Sequence, residues 1–182
     1  MEDVIWTIGH STRSLAELVA LLRAHGIERV ADVRRFPRSR RHPHFDAGAL
    51  ARDLPEAGIA YRHFHTLGGF RRPRPDSRNT AWRNASFRGY ADYMATDEFA
   101  GHLDALLDDA RTVPTAIMCA EAVPWRCHRS LIADALVARG VEVRHVLGLE
   151  RAEPHVLSAD ARVTGGRVTY PGPPPLFGVA GA

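Results

Sequence analysis

The sequence has no lysine; all 24 of its basic residues are arginine. A G-x-x-x-x-G-K-[ST] phosphate loop cannot be completed, which argues against P-loop ATP hydrolysis. Gly9 stands alone after the first apolar run, so no G-x-G-x-x-G fingerprint follows it and ordinary dinucleotide binding is not expected. A G-x-S-x-G nucleophile elbow is also missing. The chain has only two cysteines, Cys119 and Cys127, too few for a disulfide framework at this length. No apolar run reaches the roughly 18 residues of a membrane helix, so no membrane partner is expected. The opening MEDVIW is acidic and passes straight into a strand-like segment. It lacks a signal-peptide pattern, and the expected location is cytoplasmic.

What is present describes an ordinary globular chain with one unusual region. A length of 182 residues fits one domain. Folding at that size buries roughly 70% of the surface, enough for a core without staples. The net charge is only +3, yet residues 34–88 hold 13 arginines against four acids, a local excess of +9. The remainder is acidic. An arginine-for-lysine bias alone reflects genome composition as readily as function, but its concentration in one region points to an anionic partner. Guanidinium forks match phosphate and carboxylate bidentately.

Periodicity divides the chain into alternating strands and helices. Val4–Gly9 reads as a buried strand, followed by the capping box Ser14-x-x-Glu17 with Leu15, Leu18, Val19 and Leu22 on one face. Gly26 sits where a helix ends in a left-handed residue. Arg29–Arg34 is a second strand. Asp46 is placed to cap a short helix carrying Leu50 and Leu54, and Ile59–His63 is a third strand. Residues 64–86 lack a period and read as a long loop, functional or disordered. Tyr90 to Leu107 mark one broken helix or two consecutive ones. Thr115–Cys119 is a fourth strand, a helix runs from about Cys127 to Arg139, and Val141–Val146 is a fifth strand. The expected fold is a single α/β domain, a mostly parallel five-stranded sheet with helices on both faces in a Rossmann-like three-layer arrangement. Residues 1–148 form this core, and residues 149–182 a Pro/Gly-rich extension with a turn near Leu157–Ala161 and an extended piece at Arg167–Tyr170.

Ligands of open α/β sheets bind at the carboxyl ends of the strands. Here those ends deliver His10, Ser11 and Thr12 from the first strand, and Asp32 and Arg34 from the second. The third leads to Leu67-Gly68-Gly69-Phe70-Arg71, and the fourth to Cys119, Glu121, Pro124 and Cys127-His128-Arg129. Reactive residue types at four strand ends are the main functional signal in the sequence.

The segments TIGHS, DVRRFPRSR, LGGFRR, FRGYADYM and MCAEAVPWRCHRSLIAD, in this order and spacing, resemble the bacterial and archaeal family called domain of unknown function 488. The tail EPHVLSADARVTGGRVTYPG is similar to that family's ending, so the resemblance covers residue 5 to about 171. It implies an α/β fold and carries over no settled activity. Every strand-end residue named above from His10 to Arg129 falls within or beside these motifs.

Chemically, the leading expectation is an enzyme acting on a phosphate-bearing substrate, nucleic acid or nucleotide, by hydrolysis of an N-glycosidic or phosphoester bond. Arg34, Arg71 and Arg129, with Ser11, Gly68 and Gly69, are the expected substrate-binding set. Glu121, helped by Asp32, is the expected base or water-positioning group, and His10 or His128 the proton shuttle. The free N–H groups of the helix starting near Cys127 offer an anion acceptor. Phe36, Phe45, Phe64, Phe70, Trp82 and Phe87 interleave with arginine, a pattern that suits stacking on single strands or flipped bases. A non-catalytic nucleic-acid or nucleotide sensor is the alternative from another class. A third possibility is thiol or metal chemistry at Cys119 and Cys127. Cys127, in a helix's first turn beside Arg126 and Arg129, is there the expected reactive thiol. A Cys-x5-Arg anion cradle is disfavoured, because six residues separate Cys119 from Arg126 and Glu121 would sit inside it. A bound transition metal is not favoured: no C-x2-C occurs, and adjacent Cys127 and His128 on a helix would point ~100° apart. No cofactor is assigned.

Overall fold

The computed structural model describes residues 4–173. Six strands make the central sheet: β1 (Val4–Gly9), β2 (Arg29–Asp32), β3 (Ala60–His63), β4 (Thr115–Cys119), β5 (Glu142–Val146) and β6 (Ala152–Pro154), in the order β3-β2-β4-β1-β5-β6. All pairings are parallel except β5 with β6. Five helices complete the fold: α1 (Leu15–Ala24), α2 (Ala47–Glu56), α3 (Ala85–Met94), α4 (Asp97–Ala110) and α5 (Arg129–Val137). The α/β assignment and the five expected strands hold. The sixth, antiparallel strand comes from the extension, where AEP has too little apolar pattern to announce itself. A two-stranded hairpin, β7 (Arg162–Thr164) with β8 (Arg167–Thr169), follows it. Residues 174–182 of the expected extension lie outside the described residues.

Period-two alternation explains the three layers. In β4, Ala116 and Met118 join one core with Leu18, Leu22, Leu50 and Leu54 of α1 and α2, while Ile117 and Cys119 face the other with Leu103, Leu106, Leu131 and Leu136 of α4 and α5. These aliphatic residues of α1, α2, α4 and α5 are fully buried, so truncating any one to Ala costs about 2–5 kcal/mol. The Ser14–Glu17 capping box is formed in both directions, at 3.1 and 2.6 Å. Asp46 occupies the N-cap of α2, but its carboxylate accepts from the Ser39 N–H at 2.7 Å and so ties down the preceding basic loop.

The chain order creates a switch point. From β1 the chain leaves over α1 on one face, and from β4 over α5 on the other, while β1 and β4 lie side by side with Gly9 opposite Cys119. A crevice opens outside such a pair of strand ends. Gly9 is required there: a Cβ would fall on the Glu121 carbonyl oxygen, where the chain leaving β4 crosses over β1.

Candidate functional site

Two clefts meet above the carboxyl ends of β1, β2 and β4. The first, a cavity of about 390 Å³, is lined by Arg34, Arg35, Phe36, Gly69, Phe70, Asn84, Ser86, Phe87, Cys119, Ala120, Glu121, Arg126, Cys127 and His128. The second, about 450 Å³, holds His10, Ser11, Thr12, Arg38, Arg41 and His42 and shares Arg34, Phe36, Ala120 and Glu121 with the first. Both volumes lie in the range of ligand sites. A larger hollow of about 890 Å³ between residues 35 and 49 contains no cysteine, histidine or glutamate.

Arg34 is set by its surroundings before any ligand arrives. Its Nε and Nη2 donate to the two oxygens of Asp32 at 2.9 and 2.6 Å, Nη2 donates also to the Phe45 carbonyl at 2.7 Å, and Nη1 to His10 Nε2 at 3.1 Å. Four of its five N–H groups thus have partners among the described residues, leaving one at the junction of the clefts. Asp32 is fully buried and also accepts from Tyr61 Oη at 2.8 Å and from the Arg34 backbone. It is committed to holding Arg34, which corrects its expected role as a helper base. His10 is likewise a support. Its Nδ1 donates to the Ser11 carbonyl at 2.9 Å, its ring stacks on Phe45, and burial lowers its pKa to about 4. It is neutral near pH 7, as an acceptor of the arginine N–H must be.

The thiols and His128 form the cavity's second feature. The chain descends from β4 through the 3₁₀ turn Pro124–Arg126, so α5 begins at Arg129 with His128 as its N-cap and Cys127 just before it. Cys127 is therefore not in the first turn of a helix, and Cys127 and His128 converge where helical geometry would have splayed them. The two Sγ atoms and a His128 ring nitrogen all lie within 4.8 Å of one another. His128 Nε2 donates to the Val33 carbonyl at 2.8 Å, and Nδ1 faces Cys127 Sγ at 3.6 Å. Gly69 passes so close that a Cβ there would lie 3.1 Å from Nδ1. The thiol pulled toward ionisation is Cys119, because Cys127 donates to it, His128 faces it and the Glu121 backbone N–H points at it. The same arrangement pushes Cys127 up, reversing the expected order.

Other expectations are redistributed. Arg129 is buried, 1% exposed, beneath the cavity floor; it donates to the Glu121 carbonyl at 2.9 Å and to Thr7 Oγ1 at 3.3 Å. Arg71 lies against the Tyr93 ring at 3.5 Å and donates to the Thr66 and Gly68 carbonyls, pinning the loop rather than lining the cavity. Gly68 packs on the Arg35 backbone. The first-turn donors of α5 are committed too: the N–H of Arg129 to Cys127 Sγ at 3.4 Å, those of Ser130 and Leu131 to the Cys127 and His128 carbonyls. These three N–H groups are therefore not free to hold an anion. Glu121 is placed differently. It is exposed at the junction, and among the described residues it is the one carboxylate lining either cleft.

The model of the family described as domain of unknown function DUF488 matches residues 14–136 of the chain. The chain belongs to the DUF488 family. No curated protein and no solved structure matches it. The matched span takes in Asp32, Arg34, Glu121, both cysteines and His128 of this DUF488 chain, while His10 and Ser11 precede it.

One feature is sharper than sequence reasoning made it, and a second was missed. Phe36 and Phe70 are 70% and 77% exposed with ring centroids 6.3 Å apart at the cavity mouth, and Phe70 holds a left-handed φ of 59°. A bulky residue in that region is strained, and such strain gathers at functional sites. The arginine-aromatic pattern marked these two but could not separate them from the buried Phe45 and Phe64. The second is a chain of hydrogen bonds from Thr7 through His145 and His155 to Asp134, at 2.7, 2.9 and 2.7 Å. Asp134 also accepts from Ser158 and Tyr170, which locks the extension onto α5. No helix of the described residues is long and apolar enough to cross a membrane.

Proposed function

We propose that the protein is a hydrolase acting on a phosphate-bearing substrate, a nucleotide or nucleic acid. The observation that carries this reading is the charge layout of the joined clefts. Arg34, Arg35, Arg38, Arg41 and Arg126 surround a single carboxylate, Glu121, and all except Arg34 lack a carboxylate partner among the described residues. Phosphate oxygens meet the free N–H of Arg34 and the rim arginines, and a base stacks on Phe36 or Phe70 at the mouth. Glu121 takes a proton from water as the water oxygen attacks phosphorus or the anomeric carbon. The P–O or C–N bond breaks, and the proton passes to the leaving group.

Fluorescence anisotropy with single-stranded and duplex oligonucleotides, titrated with salt, tests the partner. A log–log slope of several units is expected, each neutralised phosphate contributing about −0.7 on single strands and −0.9 on duplex. Binding no tighter than to an acidic polymer overturns nucleic acid as the partner. The Glu121→Gln variant tests the chemistry: it retains binding and loses turnover, whereas full activity removes Glu121 as base. Binding by the parent protein with no turnover of any oligonucleotide or nucleotide supplied would make it a sensor.

A further inference from the structure

We infer that Cys119, Cys127 and His128 are the three protein ligands of a zinc(II) ion, with the fourth position open to the cavity. The inference rests on the hydrolytic reading, to which it adds the source of the activated water.

Three observations converge on it. The first is the donor set: two sulfurs and one ring nitrogen within 4.8 Å of one another, on the wall of a cavity of about 390 Å³. Two thiolates and an imidazole suit zinc, and three protein ligands with a free fourth position are the pattern of its catalytic sites. The second is the orientation of His128. A carbonyl oxygen only accepts, so the 2.8 Å contact with Val33 requires the hydrogen on Nε2 and leaves the Nδ1 lone pair aimed at the sulfurs. Ligating histidines are held in this way, their other N–H given to a carbonyl or carboxylate. Gly69 leaves the ring room to stand there.

The third observation is electrostatic. Arg129 is almost completely buried, has no carboxylate partner among the described residues, and its Nε has no hydrogen-bond acceptor. Its backbone N–H donates to Cys127 Sγ. A buried cation without an acid is costly unless an anion stands beside it, and the thiolates are the anions within reach. With both sulfurs ionised around a divalent ion, the charge of Arg129 is left over and favours an anionic fourth ligand such as hydroxide. Zinc lowers the pKa of bound water toward 7. Glu121, two residues past Cys119, lines the same cavity and is not needed as a ligand.

The experiment uses the full chain, purified reduced and without a histidine tag, titrated with cobalt(II) and then with zinc(II). One cobalt per chain is expected, giving visible bands of a tetrahedral ion and near-ultraviolet bands of cobalt–thiolate bonds, all displaced by zinc. Cadmium-113 NMR of the parent protein, which needs no variant, should show one resonance in the range of mixed sulfur and nitrogen coordination. Cys119→Ser and His128→Ala each weaken binding by at least about 100-fold, beyond the 10–100-fold typical of groups outside the ligand shell. The inference is overturned if the reduced, folded protein takes up no stoichiometric ion. It is also overturned if the Cys119→Ser/Cys127→Ser double variant binds cobalt as the parent does, or if air links the sulfurs and the reduced form still shows no thiolate bands. Glu121→Gln separates the two ideas. Unchanged metal uptake with full turnover in this variant removes the base and leaves the zinc, whereas a parent protein that takes up no ion and still loses its turnover on Glu121→Gln removes the zinc and leaves the hydrolytic reading.

Discussion

Arg34 reaches back two residues along its own strand end to clasp Asp32, Nε and Nη2 meeting the two carboxylate oxygens at 2.9 and 2.6 Å with neither side chain more than 7% exposed. Removing one partner strands the other as a buried, unpaired charge. Asp32→Ala and Arg34→Ala are each expected to destabilise the fold by about 3–5 kcal/mol, read as a lowered urea midpoint. An Asp32→Leu/Arg34→Met double variant should recover much of that stability while binding anions more weakly, since only the rim arginines remain. If both single variants unfold at the parent's midpoint, the clasp is not structural.

The pH dependence of stability follows from His10 and His145. Burial lowers both to about 4, against 6.5 for a free ring. Above pH 6.5 neither state binds these protons, and stability is at its full value. As the pH falls below 6.5 the unfolded chain takes them first, so stability declines until about 4, where the folded protein takes them as well. The melting temperature should therefore fall through the window from 6.5 to about 4, and a His10→Asn variant should show a shallower decline. The His10 ring resonance in NMR should titrate near 4; a midpoint near 6.5 would contradict its burial.

Gly9 tests the crossing of the two chains at the switch point. Gly9→Ala pushes the Glu121 carbonyl away from β1 and with it the 2.9 Å bond from Arg129 Nη2. A loss of about 1–3 kcal/mol or more is expected, as for an overpacked core, together with displaced Cys119 and Glu121 amide resonances. An unaltered melting temperature would mean the loop has room that the close approach denies it.

Much of this was legible beforehand where a residue's role is local. The Ser14–Glu17 box, the fully buried β4 and the Gly26 stop depend on neighbours in sequence, and each falls where its pattern places it. Six strand positions could not be ordered in the same way, because the insertion of β4 between β1 and β2 is decided by long-range packing. At the site, residue type pointed to the right strand ends but not to who faces whom. Asp32 reads on paper as a helper to Glu121, and burial makes the first a clasp and leaves the second open. Cys127 and His128 were expected to diverge as helical neighbours. The Pro124–Arg126 turn starts the helix two residues later and turns both inward.

Asp92 decides whether the arginine-rich loop is ordered. It is buried in α3 and accepts from the Arg74 backbone at 2.8 Å, Ser77 Oγ at 2.6 Å and Asn79 Nδ2 at 2.8 Å, while Asn79 Oδ1 accepts from the Tyr170 N–H at 2.9 Å. Asp92→Ala removes three of these at once. Limited trypsin digestion should then cut after Arg78 much faster than in the parent, since Arg72 and Arg74 are shielded by the prolines that follow them. The sheet core should melt with a far smaller change. Equal cutting in both proteins would show that the loop is held by something other than this carboxylate.

Phe70 separates a binding role from a structural one. It is exposed, so truncating it removes little core, and its φ of 59° means that glycine, without a Cβ, relieves strain. Phe70→Gly should leave the melting temperature unchanged or slightly raised. If a base stacks on this ring, Phe70→Ala weakens single-strand binding by about 1–3 kcal/mol, the range for one stacked base, with the salt slope unaltered because no phosphate contact is lost. Arg38→Ala should do the reverse, lowering the slope by somewhat less than one unit for single strands. Should Phe70→Ala instead lower stability and leave affinity intact, the ring is packing for the loop and the cavity mouth is not where a base is held.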